Sequence, residues 1–230
     1  MLDWNVQINI FSNKIGKATI NQQKHAKYFG TILDEKLAWK PHLEILQKKL
    51  SSAVWALFSL RSVASGKTLK LIYYALVHSK MTYCLSVWGG VSTSRINPIT
   101  VIQKRALRAI CKVPYRTHTV SLFKEQSILR VADLYKHEIA CIISKNTHWL
   151  WRGEIVLNEV SHIHNHNTRQ RHANRGSLFL PKATNDVYKR SISYTGPSVW
   201  NDVPEVLKCL KPPAFKVAYK RHLLSTYSNI

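Results

Sequence analysis

The sequence predicts a mainly α fold with a small N-terminal β-hairpin element, α+β overall, and a less ordered C-terminal part. Three patterns predict it. Apolar and polar residues alternate only near the N-terminus. Apolar residues recur at helical spacing from Leu43 to Ile143, and the stretch from His162 to Gly176 is polar and rich in Asn, His and Arg. A composition of 45% hydrophobic residues, with 7 Trp, 10 Tyr and 6 Phe, suffices for a core and excludes a disordered basic tail.

Val6, Ile8 and Ile10 alternate with Asn5, Gln7 and Asn9, and Asn13 to Gly16 supplies turn residues before Ala18 and Ile20, which predicts a hairpin. A further strand is predicted over Tyr28 to Leu33. Pro41 fits a first helical turn, and Leu43, Leu46, Leu50, Ala53, Leu57 and Leu60 predict one long helix ending at Gly66. A second helix, Lys67 to about Lys80, turns Leu69, Ile72, Tyr73 and Leu76 inward, and Gly89-Gly90 ends the apolar segment that follows.

Ser92 to Ser94 can cap a third helix, with Ile99, Ile102, Ala106, Ala109 and Ile110 on one face and Lys104, Arg105, Arg108 and Lys112 opposite. Pro114 stops it. Asp133 is read as the cap of a helix through Asn146 with Leu134, Ile139, Ile142 and Ile143 inward. Leu178 to Leu180 reads as a short strand, and a final helix after Pro212-Pro213 buries Phe215, Ala218 and Leu223.

Charge points to the partner. The chain carries 34 Lys+Arg against 12 Asp+Glu, a net +22, and no carboxylate occurs between Glu44 and Glu125. Unopposed positive fields attract polyanions, so phosphate contact is predicted for Lys104, Arg105, Arg108 and Lys112, with Tyr115 beside Arg116 as a stacking residue and Arg169, Arg171 and Arg175 as further phosphate contacts. The N-terminus has no secretory pattern. The apolar stretch from Leu69 to Trp88 is broken by Lys70, His78 and Lys80, so neither secretion nor a membrane span is expected. Four separated cysteines, with no C-x-x-C pair, fit a reducing compartment, nucleus or cytoplasm.

Ser65-Gly66-Lys67-Thr68 ends like a phosphate-binding loop, but Arg61 stands where the first glycine belongs and a helix precedes it. It reads as a turn between helices, with Gly66 as the residue after the first and Thr68 in the first turn of the next. His162, His164 and His166, with His172 nearby, lack a Cys or carboxylate to complete a metal site, so no metal is assigned. Asp34-Glu35 reads as a turn rather than a metal-holding pair, and no catalytic motif is visible.

Several blocks, in order, carry a resemblance: Lys27 to Asp34, Leu37 to Leu43, Tyr83 to Gly90, Gln103 to Arg108, Tyr115 to Thr119, His166 to Gln170 and Gly196 to Pro204. Together they resemble the thumb and downstream part of reverse transcriptases of non-LTR retrotransposons, of the jockey and LINE kind. The resemblance implies a primer-end hairpin at Tyr28, Phe29 and Gly30, and a thumb-like helical bundle with Lys67, Lys70, Lys104, Arg105 and Arg108 near the duplex. It divides the chain into a β element resembling the palm–thumb joint (1–38), a helical domain (39–150), a basic linker (151–176) and a C-terminal extension (177–230).

Implied partners are RNA, DNA, an RNA–DNA hybrid and the missing palm and fingers of the parent RNA-directed DNA polymerase. No Asp-Asp pair occurs, so the resemblance implies a segment that is not an enzyme alone. It implies no cofactor on this chain, although the parent polymerase needs Mg. Apolar surface is expected around Tyr28, Phe29 and Trp39, where the palm would sit. Two alternatives stand beside this reading: an independent RNA-binding module, and a metal-dependent nucleic-acid enzyme built on the His cluster.

Overall fold

The computed structural model describes residues 13–15, 18–20, 23–146, 177–183 and 185–227. The predicted strand at Val6, Ile8 and Ile10, the linker at 151–176, the His cluster and Arg169, Arg171 and Arg175 lie outside the described residues.

Strands β1 (Asn13–Ile15) and β2 (Ala18–Ile20) pair antiparallel with Ile15 opposite Ala18. Asn13 to Ile15, predicted as turn, is therefore strand, and only residues 16 and 17 separate the two. The single strand predicted over Tyr28 to Leu33 is a second hairpin, β3 (His25–Tyr28) with β4 (Thr31–Asp34). Its turn residues Phe29 and Gly30 both have positive φ, 43° and 76°. That geometry matches the twist of the flanking strands, and glycine adopts it freely, whereas Phe29 adopts it at a cost of roughly 1–2 kcal/mol. The apolar run continues through the turn, so periodicity alone could not reveal it.

Asp34-Glu35 does form a turn. The Asp34 carboxylate accepts from the backbone N–H of Ala38 at 2.9 Å and of Trp39 at 2.6 Å, fixing the entry to α1 (Lys40–Ser59). Trp39 precedes that helix in the left-handed region, φ 63°, and is 5% exposed, correcting the expectation that it lies on open apolar surface. Its ring meets His42 edge-on, and His42 in turn meets the fully buried Trp88.

Helix α1 buries Leu43, Leu46, Leu50, Ala53 and Leu57 as predicted, but it stops at Ser59 rather than at Gly66, which leaves Leu60 exposed. Ser65 is the N-cap of α2 (Gly66–Tyr73), its hydroxyl accepting from Thr68 N–H at 3.2 Å. Gly66 thus opens the second helix instead of following the first. A π turn (Tyr74–His78) and α3 (Ser79–Thr82) continue α2. The wider turn resets the helical face, so Leu69, Tyr73, Val77 and Met81 are buried at four-residue steps and Leu76, predicted inward, is exposed.

After α4 (Leu85–Trp88), Gly89 packs so closely that a Cβ there would stand 2.4 Å from the Tyr135 ring. Helix α5 (Thr93–Ile110) buries Ile99, Ile102, Ala106, Ala109 and Ile110 as its spacing predicts. It also buries Gln103 completely. That amide donates to Leu129 O at 2.8 Å and Tyr73 Oη at 3.1 Å and accepts from Val131 N–H at 3.0 Å, joining α2, α5 and the start of α7. A buried polar group is tolerated when its partners are complete, and here they are.

A short helix, α6 (Val120–Glu125), precedes α7 (Val131–Asn146). Helix α7 begins two residues before Asp133, so Asp133 lies in its first turn and is not its cap. Leu178 to Leu180 forms no strand among the described residues; the Asn201 side chain instead bonds both Leu178 N–H and C=O, at 2.8 and 2.9 Å.

The described C-terminal residues add α8 (Asp186–Arg190), α9 (Ile192–Asn201) and α10 (Glu205–Lys208) before the predicted final helix, α11 (Pro212–Ser225). Phe215 and Leu223 are buried and Ala218 is half-buried. Helices α9 and α11 both pack on α7, so Trp200, Phe215 and Tyr219 share one apolar cluster with Leu50, Tyr73 and Ile139. The fold is mainly α with small N-terminal β-hairpins.

Candidate nucleic-acid interface

Helix α5 ends in a Schellman motif. Lys112 adopts φ 55°, its N–H bonds to Ala109 O at 3.2 Å, and Val113 N–H reaches back to Arg108 O at 3.2 Å. This left-handed residue reverses the chain, and Pro114 prevents further helix. The reversal brings residues 114–117 back along the outer face of α5. Arg108 holds them there, its Nε donating to Thr117 O at 2.9 Å. From the other side Arg61 donates to Val113 O at 3.1 Å.

The Tyr115 ring consequently lies against two guanidinium groups. The centre of Arg105's guanidinium is 5.9 Å from the ring centroid and that of Arg108 is 5.5 Å. An Arg105 N–H also reaches the Tyr115 hydroxyl at 3.5 Å. Tyr115 remains 63% exposed, and Arg105 and Arg116 are exposed as well. The result is an open aromatic face bracketed by cations, suited to stack on a base while holding the adjoining phosphates.

Other predicted cations join this end of the molecule. Gly66 faces the Ile110 carbonyl, which sets the first turn of α2, with exposed Lys67, beside the end of α5. Lys70 stands close enough to Cys111 to act on its thiol, which burial pushes up. Lys104 is half-buried on α5, and Lys112 is exposed but lies beyond the helix rather than on its face. Among the described residues the only salt bridge is Lys189–Asp186, so these cations have no carboxylate to neutralise them.

Tyr28, Phe29 and Gly30, expected at the primer end, lie elsewhere. Tyr83 donates to Phe29 O at 2.5 Å, and Arg95, near the start of α5, donates to Ala38 O. Arg95 and Arg108 are thirteen positions apart on one helix, so the carbonyls they hold, Ala38 O and Thr117 O, are separated by roughly 20 Å along its axis. Tyr28 and Phe29, 60% and 74% exposed, form an edge-to-face pair at 4.5 Å. Sequence reasoning missed Arg61 and Arg95 as anchors. The acid-free stretch contained both, but only the folded chain shows which arginines serve backbone carbonyls.

Over 131 residues the chain is 30% identical to the probable RNA-directed DNA polymerase from transposon BS of Drosophila melanogaster, a match covering 56% of this chain and 14% of that protein. It is 25% identical over 150 residues to the RNA-directed DNA polymerase from mobile element jockey of the same fly, covering 57% of this chain and 16% of that protein. Against the jockey polymerase of Drosophila funebris the figures are 27% over 149 residues, 56% and 16%. The curated homologues of this chain are jockey/LINE-type non-LTR retrotransposon RNA-directed DNA polymerases.

The chain thus spans about one sixth or less of the length of these jockey-type polymerases. No protein-family model and no solved structure matches it. Among the described residues no group of three or more His, Cys, Asp or Glu is arranged to hold a metal ion, and both Asp34 carboxylate oxygens accept from backbone N–H groups. Among the described residues no helix is long and apolar enough to cross a membrane.

Proposed function

We propose that this chain binds template and primer nucleic acid as a thumb-like segment of a retrotransposon RNA-directed DNA polymerase, without itself carrying the catalytic palm. The observation that carries the reading is the exposed Tyr115 ring set against Arg105 and Arg108, with no carboxylate partner for either arginine among the described residues. Lys67, Lys70, Lys104, Lys112 and Arg116 extend the positive surface along which a phosphate backbone runs. The partners are RNA, DNA and an RNA–DNA hybrid. The Tyr28-Phe29-Gly30 hairpin, whose turn Tyr83 holds through Phe29 O, serves the primer end.

Fluorescence anisotropy of a labelled RNA–DNA hybrid across a salt series tests this. Changing Arg105→Gln together with Arg108→Gln should weaken binding and flatten the slope of log affinity against log salt by about two, one unit for each lost phosphate contact. Lys189→Gln, which alters the lysine paired with Asp186, should leave the slope unchanged. An identical slope in the double arginine variant removes this face from the interface.

A further inference from the structure

A second cationic feature shares no lining residue with the Tyr115 face. The π turn, residues 128–129, helix α7 and helix α11 enclose a cleft of about 500 Å³. Its size falls within the range of small-ligand sites. Tyr74, Leu134 and Ile142 contribute apolar wall, and Lys145, Lys216 and Lys220 stand at its edge. None of the three lysines has a salt-bridge partner among the described residues. The one carboxylate in the lining, Glu138, is hydrogen-bonded to Ser86.

Two histidines complete the lining. His137 Nε2 donates to Lys216 O at 2.9 Å, which fixes its tautomer, since a carbonyl can only accept. His78, at the end of the π turn, keeps a buried Nδ1 with no hydrogen-bond partner among the described residues. A buried polar atom without a partner is destabilising and calls for an explanation. Inserted π turns of this kind recur at functional sites. Burial, Lys70 and Lys216 together depress the Lys220 ammonium below the usual lysine range, and burial followed by Lys220 lowers His78. A bound anion relieves each of those like-charge contacts.

We propose that this cleft binds a nucleotide, its phosphate held by Lys216, Lys220 and Lys145 and its base set against Tyr74, Leu134 and Ile142. The site is distinct from the Tyr115 face. Its ligand is either a free nucleotide or one nucleotide of a bound strand, since both present the same phosphate and base.

The test follows the imidazole NMR signals of His78 and His137, assigned with His78→Gln and His137→Gln, as the whole chain is titrated with AMP, adenosine, or a short oligouridylate. Saturable shifts of both signals with AMP are expected, weakened about tenfold or more when Lys216→Gln and Lys220→Gln are combined. Arg105→Gln with Arg108→Gln should leave them unchanged, so failure here and failure of the proposed interface are separable. Shifts with AMP alone identify a free-nucleotide site, and shifts with the oligonucleotide that AMP competes away identify a strand nucleotide. Equal affinity for adenosine and AMP, unaltered binding by the double lysine variant, or no shift with either AMP or oligonucleotide would overturn the proposal. Circular dichroism verifies the fold, and the single change at exposed Lys216 serves if the double variant unfolds.

Discussion

The hydroxyl of Tyr227 donates to Asp133 at 2.5 Å while accepting from Arg130 N–H at 2.9 Å, so a residue two positions past α11 closes the first turn of α7 from 94 positions away. The Arg130 guanidinium also covers the Tyr227 ring at 4.4 Å. Tyr227→Phe keeps the ring but removes both hydrogen bonds and should cost about 1–3 kcal/mol in urea unfolding. Burial, then the bond to Asp133, raises the Tyr227 hydroxyl above the ordinary 10.0. The folded state therefore holds this proton longer than the unfolded one. Its contribution is complete below pH 10 and declines as pH rises further, a decline that Tyr227→Phe should reduce.

Gln103 organises the centre of the bundle in the same way. Gln103→Leu approximates its volume but strands Val131 N–H and Leu129 C=O in a site without water access. Thermal unfolding should reveal a loss of about 2–4 kcal/mol, larger than typical for a single surface change. A loss below about 0.5 kcal/mol would mean that neither backbone group depends on this amide.

Lys112 holds a left-handed backbone that glycine adopts without strain. Lys112→Gly should stabilise the fold by about 0.5–1 kcal/mol in urea titration, because the Schellman bonds remain. The same variant should lose one phosphate contact, flattening the salt dependence of hybrid binding by about one unit. Greater stability with weaker binding would mark the lysine as retained at some cost to the fold.

Tyr115→Ala should leave the melting temperature nearly unchanged, since the ring is largely exposed, while weakening single-strand and hybrid binding by about 1–3 kcal/mol per stacked base. Tyr115→Phe should restore most of that affinity in anisotropy titrations. Equal losses in both variants would shift the role from stacking to the hydroxyl near Arg105.

His42, His78 and His137 all lie below the ordinary 6.5, each chiefly through burial, with Lys49 acting on His42, Lys220 on His78, and Lys216 and Lys220 on His137. The backbone bond to Lys216 opposes the shift at His137 without reversing it. Each is neutral in the folded state where the unfolded chain already binds a proton. Stability is therefore fully present above about pH 6.5 and falls as pH drops below it. Thermal melts at pH 7.5, 6.5 and 5.5 should show this order, and His137→Gln should flatten it. A flat profile in the parent chain would contradict the neutral assignments.

Much of this architecture is legible from one-dimensional pattern. The Leu43 to Leu57 spacing places α1 on its core, the Ile99 to Ile110 spacing does the same for α5, and the acid-free stretch from Glu44 to Glu125 identifies a cationic surface before any coordinate is known. These readings succeed because side-chain periodicity and net charge are local or additive properties. Order along the chain likewise carries the relationship to jockey-type polymerases.

Pattern could not place Phe29-Gly30 in a turn inside an apolar run, nor the π turn that moves Leu76 outward. It could not show that Trp39 packs on His42, or that Gln103 serves Tyr73, Leu129 and Val131 at once. Each depends on partners distant in sequence or on a backbone state set by them. The same holds at the candidate interface. Sequence marks Arg105, Arg108 and Tyr115 as neighbours in composition, while the left-handed Lys112 and the Arg108–Thr117 bond turn them into one surface. Residue type determines charge and periodicity; only the folded chain decides which charges meet, because that requires a reversal of direction closed by long-range hydrogen bonds.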